Sequence, residues 1–409
     1  MKKIILVAVV SVFGMQMAKA QNERAITTGV PFLLIAADAR SAGMGDQGVA
    51  TSPDVFSQQY NPAKYAFSDS EYGLSISYTP YLTDIANDIS LGQVTFFKKL
   101  SDERMAFAAS LRYFGLGDIE LRQTPDPDEP VVTRSPSELA VDLSYSLKLG
   151  ERFSMGVGGR FISSNLRIPE AAGGGDAKAA TSFAVDVSGY YQSEEVAFED
   201  FNGRFRGGFN LQNLGPKINY NNDDISDGST DNFLPANLRL GGGFDFIFDE
   251  YNKIAVNLEV TKLLVPTPPA VVNPVDTDGD GEISDEEDDA ANAQYADDLL
   301  DYKKTGWVSG IFSSFNDAPD GFKEELKEFT YAVGAEYLYQ DSFALRLGYF
   351  NEDPSKGARK FFSLGAGFKY STIKVDVSYL FSASQVRNPL ENTLRFSLSF
   401  NFGESFDEY

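Results

Sequence analysis

The chain has no cysteine and no histidine, and a single tryptophan among 409 residues. Without cysteine there are no disulfides, zinc thiolate sites or cysteine nucleophiles, and no thiol near the N-terminus to carry a lipid anchor. Without histidine there is no Ser-His-Asp chemistry, and the commonest metal ligand is missing. An enzyme is therefore not expected. Positive charge is also scarce, 35 Lys and Arg against 59 Asp and Glu, and the net charge of −24 argues against nucleic acid as a partner. Beyond the first twenty residues no apolar run nears the roughly 20 residues that a spanning helix requires.

Met1 to Ala20 has the layout of a signal peptide: Lys2 and Lys3, the apolar run Ile4 to Phe13, then Ala18-Lys19-Ala20 as a cleavage site. Export is the expectation, with a mature chain starting at Gln21. With no spanning helix, residence in a membrane requires a closed barrel, because lipid cannot satisfy an open sheet edge.

The last stretch, Asn392 to Phe402, shows what is present instead. Leu394, Phe396, Leu398, Phe400 and Phe402 alternate with Arg395, Ser397, Ser399 and Asn401. Successive strand side chains point to opposite faces, so one face is wholly apolar and the other polar. The same alternation, bounded by turn residues, marks fourteen strands: 71–80, 88–99, 104–118, 137–149, 152–166, 179–191, 203–213, 236–248, 252–264, 328–339, 342–351, 361–371, 373–381 and 392–402. The connections alternate in length. Short turns follow strands 2, 4, 8, 10 and 12, and longer loops follow strands 3, 5, 7, 9, 11 and 13; the turn at 192–202 is a mild exception. Outer-membrane barrels have this asymmetry, with short periplasmic turns and long external loops. The expected fold is an all-β, 14-stranded antiparallel outer-membrane β-barrel over 71–403 with both ends periplasmic. Residues 404–409 form a tail. Residues 21–70, punctuated by Pro31, Pro53, Pro62 and several glycines, do not read as strand and are expected to form an N-terminal plug, or hatch, in the lumen.

The connection at 265–327 is far longer than the others, and loops of this length are usually functional or unstructured. It opens with a stiff lead containing Pro266, Pro268, Pro269 and Pro274. Residues 276–287 then fit the EF-hand pattern D-x-[DN]-x-[DN]-G-x5-E. Asp276, Asp278 and Asp280 take loop positions 1, 3 and 5, Gly281 makes the turn, Glu282 offers its carbonyl, and Glu287 is the bidentate ligand. Acidic runs also produce Asp-Gly repeats by composition, and residues 265–301 hold twelve acidic residues with no Lys or Arg. The order is nevertheless specific, so a structural Ca2+ is expected, followed by a helix over 285–302 and with no helix before it. Trp307, Ile311, Phe312 and Phe315 share one face at helical spacing. That face either packs on the loop's own neighbours or docks a partner.

Within the hatch, Asp38 to Ala50, with Asp38-Ala39-Arg40 and Gly43-Met44-Gly45-Asp46, and then Gln59-Tyr60-Asn61-Pro62-Ala63-Lys64-Tyr65 resemble the plug of the FadL-type barrel superfamily. With these, Val30-Pro31-Phe32-Leu33, Gly48 to Asp54 and Asn61 to Phe67 carry a narrower resemblance, to the PorV family of type IX secretion barrels. The resemblance implies fourteen strands around a luminal hatch, with Arg40, Gly43, Gly45, Asn61 and Pro62 as plug structure. It implies a non-enzymatic outer-membrane component that binds the large translocon barrel and the C-terminal signal domain of secreted cargo. Cargo would pass to a PorU-like sortase and attachment complex. The calcium-type loop is not part of the resemblance. A FadL-type transporter of long-chain fatty acids or other hydrophobic small molecules shares the fold and stays open as the alternative.

Overall fold

The computed structural model describes residues 25–82, 86, 88–100, 104–121, 131–166, 179–220, 231–277, 279, 281–384 and 390–403. The expected signal peptide, the tail at 404–409, Asp278 and Asp280 lie outside them. Fourteen strands form the barrel: β1 (Tyr72–Pro80), β2 (Ile89–Lys99), β3 (Met105–Leu116), β4 (Ser137–Gly150), β5 (Phe153–Asn165), β6 (Ala180–Gln192), β7 (Asn202–Leu214), β8 (Asn237–Ile247), β9 (Asn252–Leu263), β10 (Phe329–Tyr339), β11 (Phe343–Asn351), β12 (Lys360–Tyr370), β13 (Ile373–Ser382) and β14 (Leu394–Phe402). Each pairs antiparallel with its sequence neighbours. The ring closes where β1 meets β14, from Tyr72 opposite Phe402 to Tyr78 opposite Phe396.

The wall is inverted relative to a water-soluble protein. On β11, Leu345 and Leu347 are 62% and 61% exposed, whereas Arg346 between them is 2% exposed. On β9, Val256 and Leu258 point outward while Asn257 and Glu259 are buried. A continuous apolar outer surface around a polar, closed interior is what a bilayer demands of a sheet. The short connections include the three residues 340–342 between paired Tyr339 and Phe343, with Gln340 and Asp341 at positive φ (53° and 48°), a conformation that follows the strand twist.

Two small elements go beyond the expected fourteen strands. Ile119–Leu121 pairs with Val132–Arg134 in the loop after β3. Val196–Ala197 folds back onto Asn202–Gly203, which explains the longer turn after β6.

The hatch contains four short helical turns, Pro31–Leu34, Ala39–Ala42, Ser57–Tyr60 and Pro62–Phe67. Asp38 caps the second through the Ser41 N–H, and Asn61 caps the fourth through the Ala63 N–H, with Pro62 at its first position. The hatch runs through the lumen rather than lying at its short-turn end. The Gly29 N–H donates to the Phe233 carbonyl in a long loop, whereas Lys99 Nζ, at the short-turn end of β2, donates to the Ser68 carbonyl. Its apolar start explains the climb. Val30, Phe32 and Leu33 bury themselves against inward-facing Leu91, Phe114 and Ile162.

Candidate functional site: the sealed lumen and its outer cap

The hatch is held by buried charge. Arg40 Nε and Nη2 donate to the two carboxylate oxygens of Glu336 on β10 (3.1 and 2.8 Å). Its Nη1 reaches Asp54 Oδ2 (2.7 Å) and the Ser52 carbonyl (3.0 Å). Arg346 donates to the same Glu336 at 2.6 Å. Further round the wall, Arg395 pairs with Asp46, Arg239 with Glu259, and Arg160 with both Asp142 and Asp186. Glu259 Oε2 also accepts the N–H groups of Gly48 and Val49. Asn61 joins hatch to wall by donating to the Val49 and Gly189 carbonyls. Charges removed from water in this way are tolerated only when paired and hydrogen-bonded.

The backbones also touch. A Cβ on Gly348 of β11 would overlap Gly45 N and Met44 C. Gly45 has φ +85° and lies against the Tyr349 backbone, and Gly43 abuts Gly365. The structure thus places Arg40, Gly43, Gly45, Asn61 and Pro62 in the hatch body or its contacts with the wall.

In the outer half of the lumen the inward surface turns apolar. The chain's own Val30, Phe32 and Leu33 fill it, with Ile218 and Leu234 closing over them. The Phe32 ring stacks on Phe114 at 6.1 Å. Beside this core lies a cavity of about 70 Å³ bordered by Asp46, Arg239, Glu259, Glu352, Lys356 and Arg359. It has room for a few waters, and Leu34, Leu263 and Phe350 line it beside the charged groups.

The cap is built from the long segment after β9. Three helices form within it: α1 (Asp285–Lys304), α2 (Trp307–Ser313) and α3 (Phe322–Glu325). Its two ends are tied together at the rim. Lys262 Nζ pairs with Glu328 (2.5 Å) and Glu325 (3.3 Å). Lys356, from the loop after β11, pairs with Glu324 (2.7 Å) and Glu328 (2.9 Å). Thr267 Oγ1 donates to Glu328, and its N–H donates to Asp317. The Asp317, Glu325 and Glu328 carboxylates lie within 4.8 Å of one another, and Asp317 Oδ1 is buried without a hydrogen-bond partner. Burial first, then the neighbouring Glu328 and Glu325, push the Asp317 carboxyl up to about 6.

The calcium-type loop is only partly within the described residues. Asp276 accepts the N–H groups of Gly279 (2.6 Å) and Gly281 (2.8 Å), and Gly281 has φ +86°. Glu287 turns back into the loop, accepting from Thr277 Oγ1 and the Thr277 N–H, and forms a capping box with Ser284. Those bonds, led by the Thr277 hydroxyl, hold its carboxyl down to about 2. The helix expected after the loop is α1. No helix precedes the loop among the described residues. Asp276, Gly281 and Glu287 suit a cation, but Glu287 would have to leave its cap to complete one.

The expected apolar face at 307–315 is split. Gly310 and Ser314 are the buried side of α2, with Gly310 against Phe233 and Pro266. Trp307 and Ile311 are half-buried. Phe312 is 74% exposed, and Phe315, beyond the helix, is exposed as well. A residue as small as Gly310 lets the helix approach the rim most closely, and this overrode the larger apolar side chains. The rim cluster was missed altogether. Its signal was Lys262, a lone cation continuing the outward apolar row Val256, Leu258, Val260.

The sequence profile of a family described as "Type IX secretion system protein PorV" matches residues 18–270, well over half of the chain. No curated protein sequence matches. Among solved structures the chain is similar to a deltaS2S3 mutant of the TodX monoaromatic hydrocarbon channel (11% identity, 90% of this chain and 98% of that one, TM-score 0.48). It is also similar to the toluene transporter TbuX of Ralstonia pickettii (13%, 91% and 100%, 0.47) and to a FadL homologue of Pseudomonas aeruginosa (13%, 91% and 99%, 0.43).

Proposed function

Because the chain belongs to the PorV family of type IX secretion proteins, and so acts in the outer membrane as part of that system, we propose that it is a cargo carrier with no catalytic role. In this reading it binds the large translocon barrel, accepts the C-terminal signal domain of a secreted protein, and hands it to a PorU-like sortase and attachment complex. The observation that carries the reading is the anchorage of the hatch to the wall, through Arg40 with Glu336 and Asp46 with Arg395. A hatch clamped by paired charges and capped by a long external segment leaves binding to the outer loops, not passage through the middle.

The FadL-type reading draws on the apolar chamber in the outer half. Against it, Phe32 and Leu33 of the chain itself occupy that chamber. We assign the calcium-type loop a structural role, holding Asp276 to Glu287 compact at the start of α1. The deciding experiment is a native pull-down through a C-terminal tag after gentle solubilisation. Recovery of a very large barrel, a sortase-like protein and proteins sharing one C-terminal domain supports the carrier. Recovery of the barrel alone with a bound fatty acid overturns it in favour of the importer.

A further inference from the structure

We propose that the outer cap carries a lipid-contacting face, made by Val308, Phe312, Phe315, Phe322 and Leu326, that rests on the outer leaflet beside β9 and β10. All five side chains are exposed, Phe312 and Phe322 by about three-quarters (74% and 76%). Val308 and Phe312 are four residues apart on α2, on the side opposite buried Gly310, and Phe315 follows three residues later. Large apolar groups gathered on an exposed surface mark an interaction site.

Position identifies the occupant. Lys262 continues the outward row of β9, the row whose Val256 and Leu258 face lipid. It pairs in register with Phe329, which continues the outward row Tyr331 and Val333 of β10. The Lys262 ammonium lies between the Phe329 ring (5.4 Å) and the Phe315 ring (5.8 Å). The apolar face of the cap is therefore continuous with the membrane-facing wall. Charge agrees. Exposed Lys323 and Lys327 stand next to Phe322 and Leu326 in the chain. Aromatic and aliphatic groups interleaved with lysines suit the acyl boundary beneath a phosphate headgroup.

The chain's single tryptophan gives a direct test. The full-length double variant W307F/F312W moves the only indole to the centre of the face. It is reconstituted into phosphatidylcholine vesicles, with and without bromine on the acyl chains. The expected result is blue-shifted emission, loss of fluorescence with the brominated lipid, and protection from aqueous iodide. W307F/I283W, with its indole in the acidic loop, should show the opposite pattern. Heat-modifiable migration on gels verifies that both barrels are folded. An F312W indole that iodide quenches and brominated lipid does not would overturn the proposal. So would one shielded only after co-purifying proteins are bound, which would assign the face to a protein partner.

Discussion

Replacing Arg40 by Met tests whether the hatch is a fixed seal. Arg40 is buried and makes five hydrogen bonds, two to Glu336, one to Asp54 and two to Ser52. Removing one partner of a buried ion pair costs about 3–5 kcal/mol, because the remaining charge is left without compensation. Here Glu336 keeps Arg346 at 2.6 Å, so the lower end applies. At 1.4 kcal/mol per tenfold, about 3 kcal/mol shifts the closed-to-open ratio of the hatch by roughly 10²-fold. Two assays read this shift. Single-channel recording in planar bilayers should show openings absent from the parent protein. Protease added from the short-turn side should cut within 38–67 at a faster rate. Glu336→Gln should act in the same direction, since it removes the carboxylate shared by Arg40 and Arg346, which keep Asp54 and Asp376. Arg40→Met with unchanged conductance and protease resistance, in a barrel verified as folded, would refute the view that paired charge holds the hatch.

Four further outcomes follow from the same contacts. Phe32→Ala removes a fully buried ring, costs about 3–5 kcal/mol of hatch stability and opens an apolar void; an apolar fluorescent dye should bind the variant and not the parent. Gly348→Val drives a side chain into the Gly45 and Met44 backbone; the hatch should become protease-sensitive while the barrel still migrates as folded, and a fully protected hatch would count against the close approach. Asp317 holds its proton to about pH 6 in the cap, against an ordinary value of 3.8, so the packed cap binds the proton more tightly. Cap protection in hydrogen exchange should therefore fall as pH rises through that window and level off above it; Asp317→Asn should flatten the difference and raise protection at neutral pH. Calcium should slow proteolysis of 268–290 relative to chelator, an effect lost in Asp276→Asn with Glu287→Gln; identical cleavage with and without chelator would remove the ion from the account.

The barrel was legible because lipid imposes one rule on every strand: apolar outside, polar inside, period two. The fourteen stretches follow it except where inward-facing Leu91, Phe97, Phe114 and Ile162 meet the hatch, and turn chemistry marks their ends, so strand count and connection order followed. The hatch could be expected as non-strand but not located. Its path depends on contacts across the lumen, such as Arg40 to Glu336 at a separation of 296 residues, for which no local periodicity exists. The helix after the acidic loop was expected from the calcium-type pattern, whereas its cap, Ser284 with Glu287 three residues on, emerged only in the structure. The orientation of the short helix at Trp307 was not. Seven residues carry too little pattern, and the decision fell to Gly310, whose lack of a side chain permits the approach to Phe233 and Pro266.

These two kinds of contact divide the work of the molecule. Inside, nearly every hatch element meets the wall through a buried charge, a glycine or an apolar plug, and moving one of them strands the others. A lumen arranged so is costly to open and gains nothing from opening unless a partner compensates the exposed charges. Outside, the cap is tied down by Lys262 and Lys356 against Glu324, Glu325 and Glu328 and by Gly310 against Phe233, and carries both an acidic helix and exposed apolar residues. Binding a folded domain at the surface requires a stable base and an adaptable rim. Importing a hydrophobic molecule requires the reverse, a yielding hatch and an open apolar entrance. The distribution of buried charge in this barrel matches the first requirement, so cargo exchange should depend on substitutions in 264–328 and be insensitive to those that only tighten the hatch.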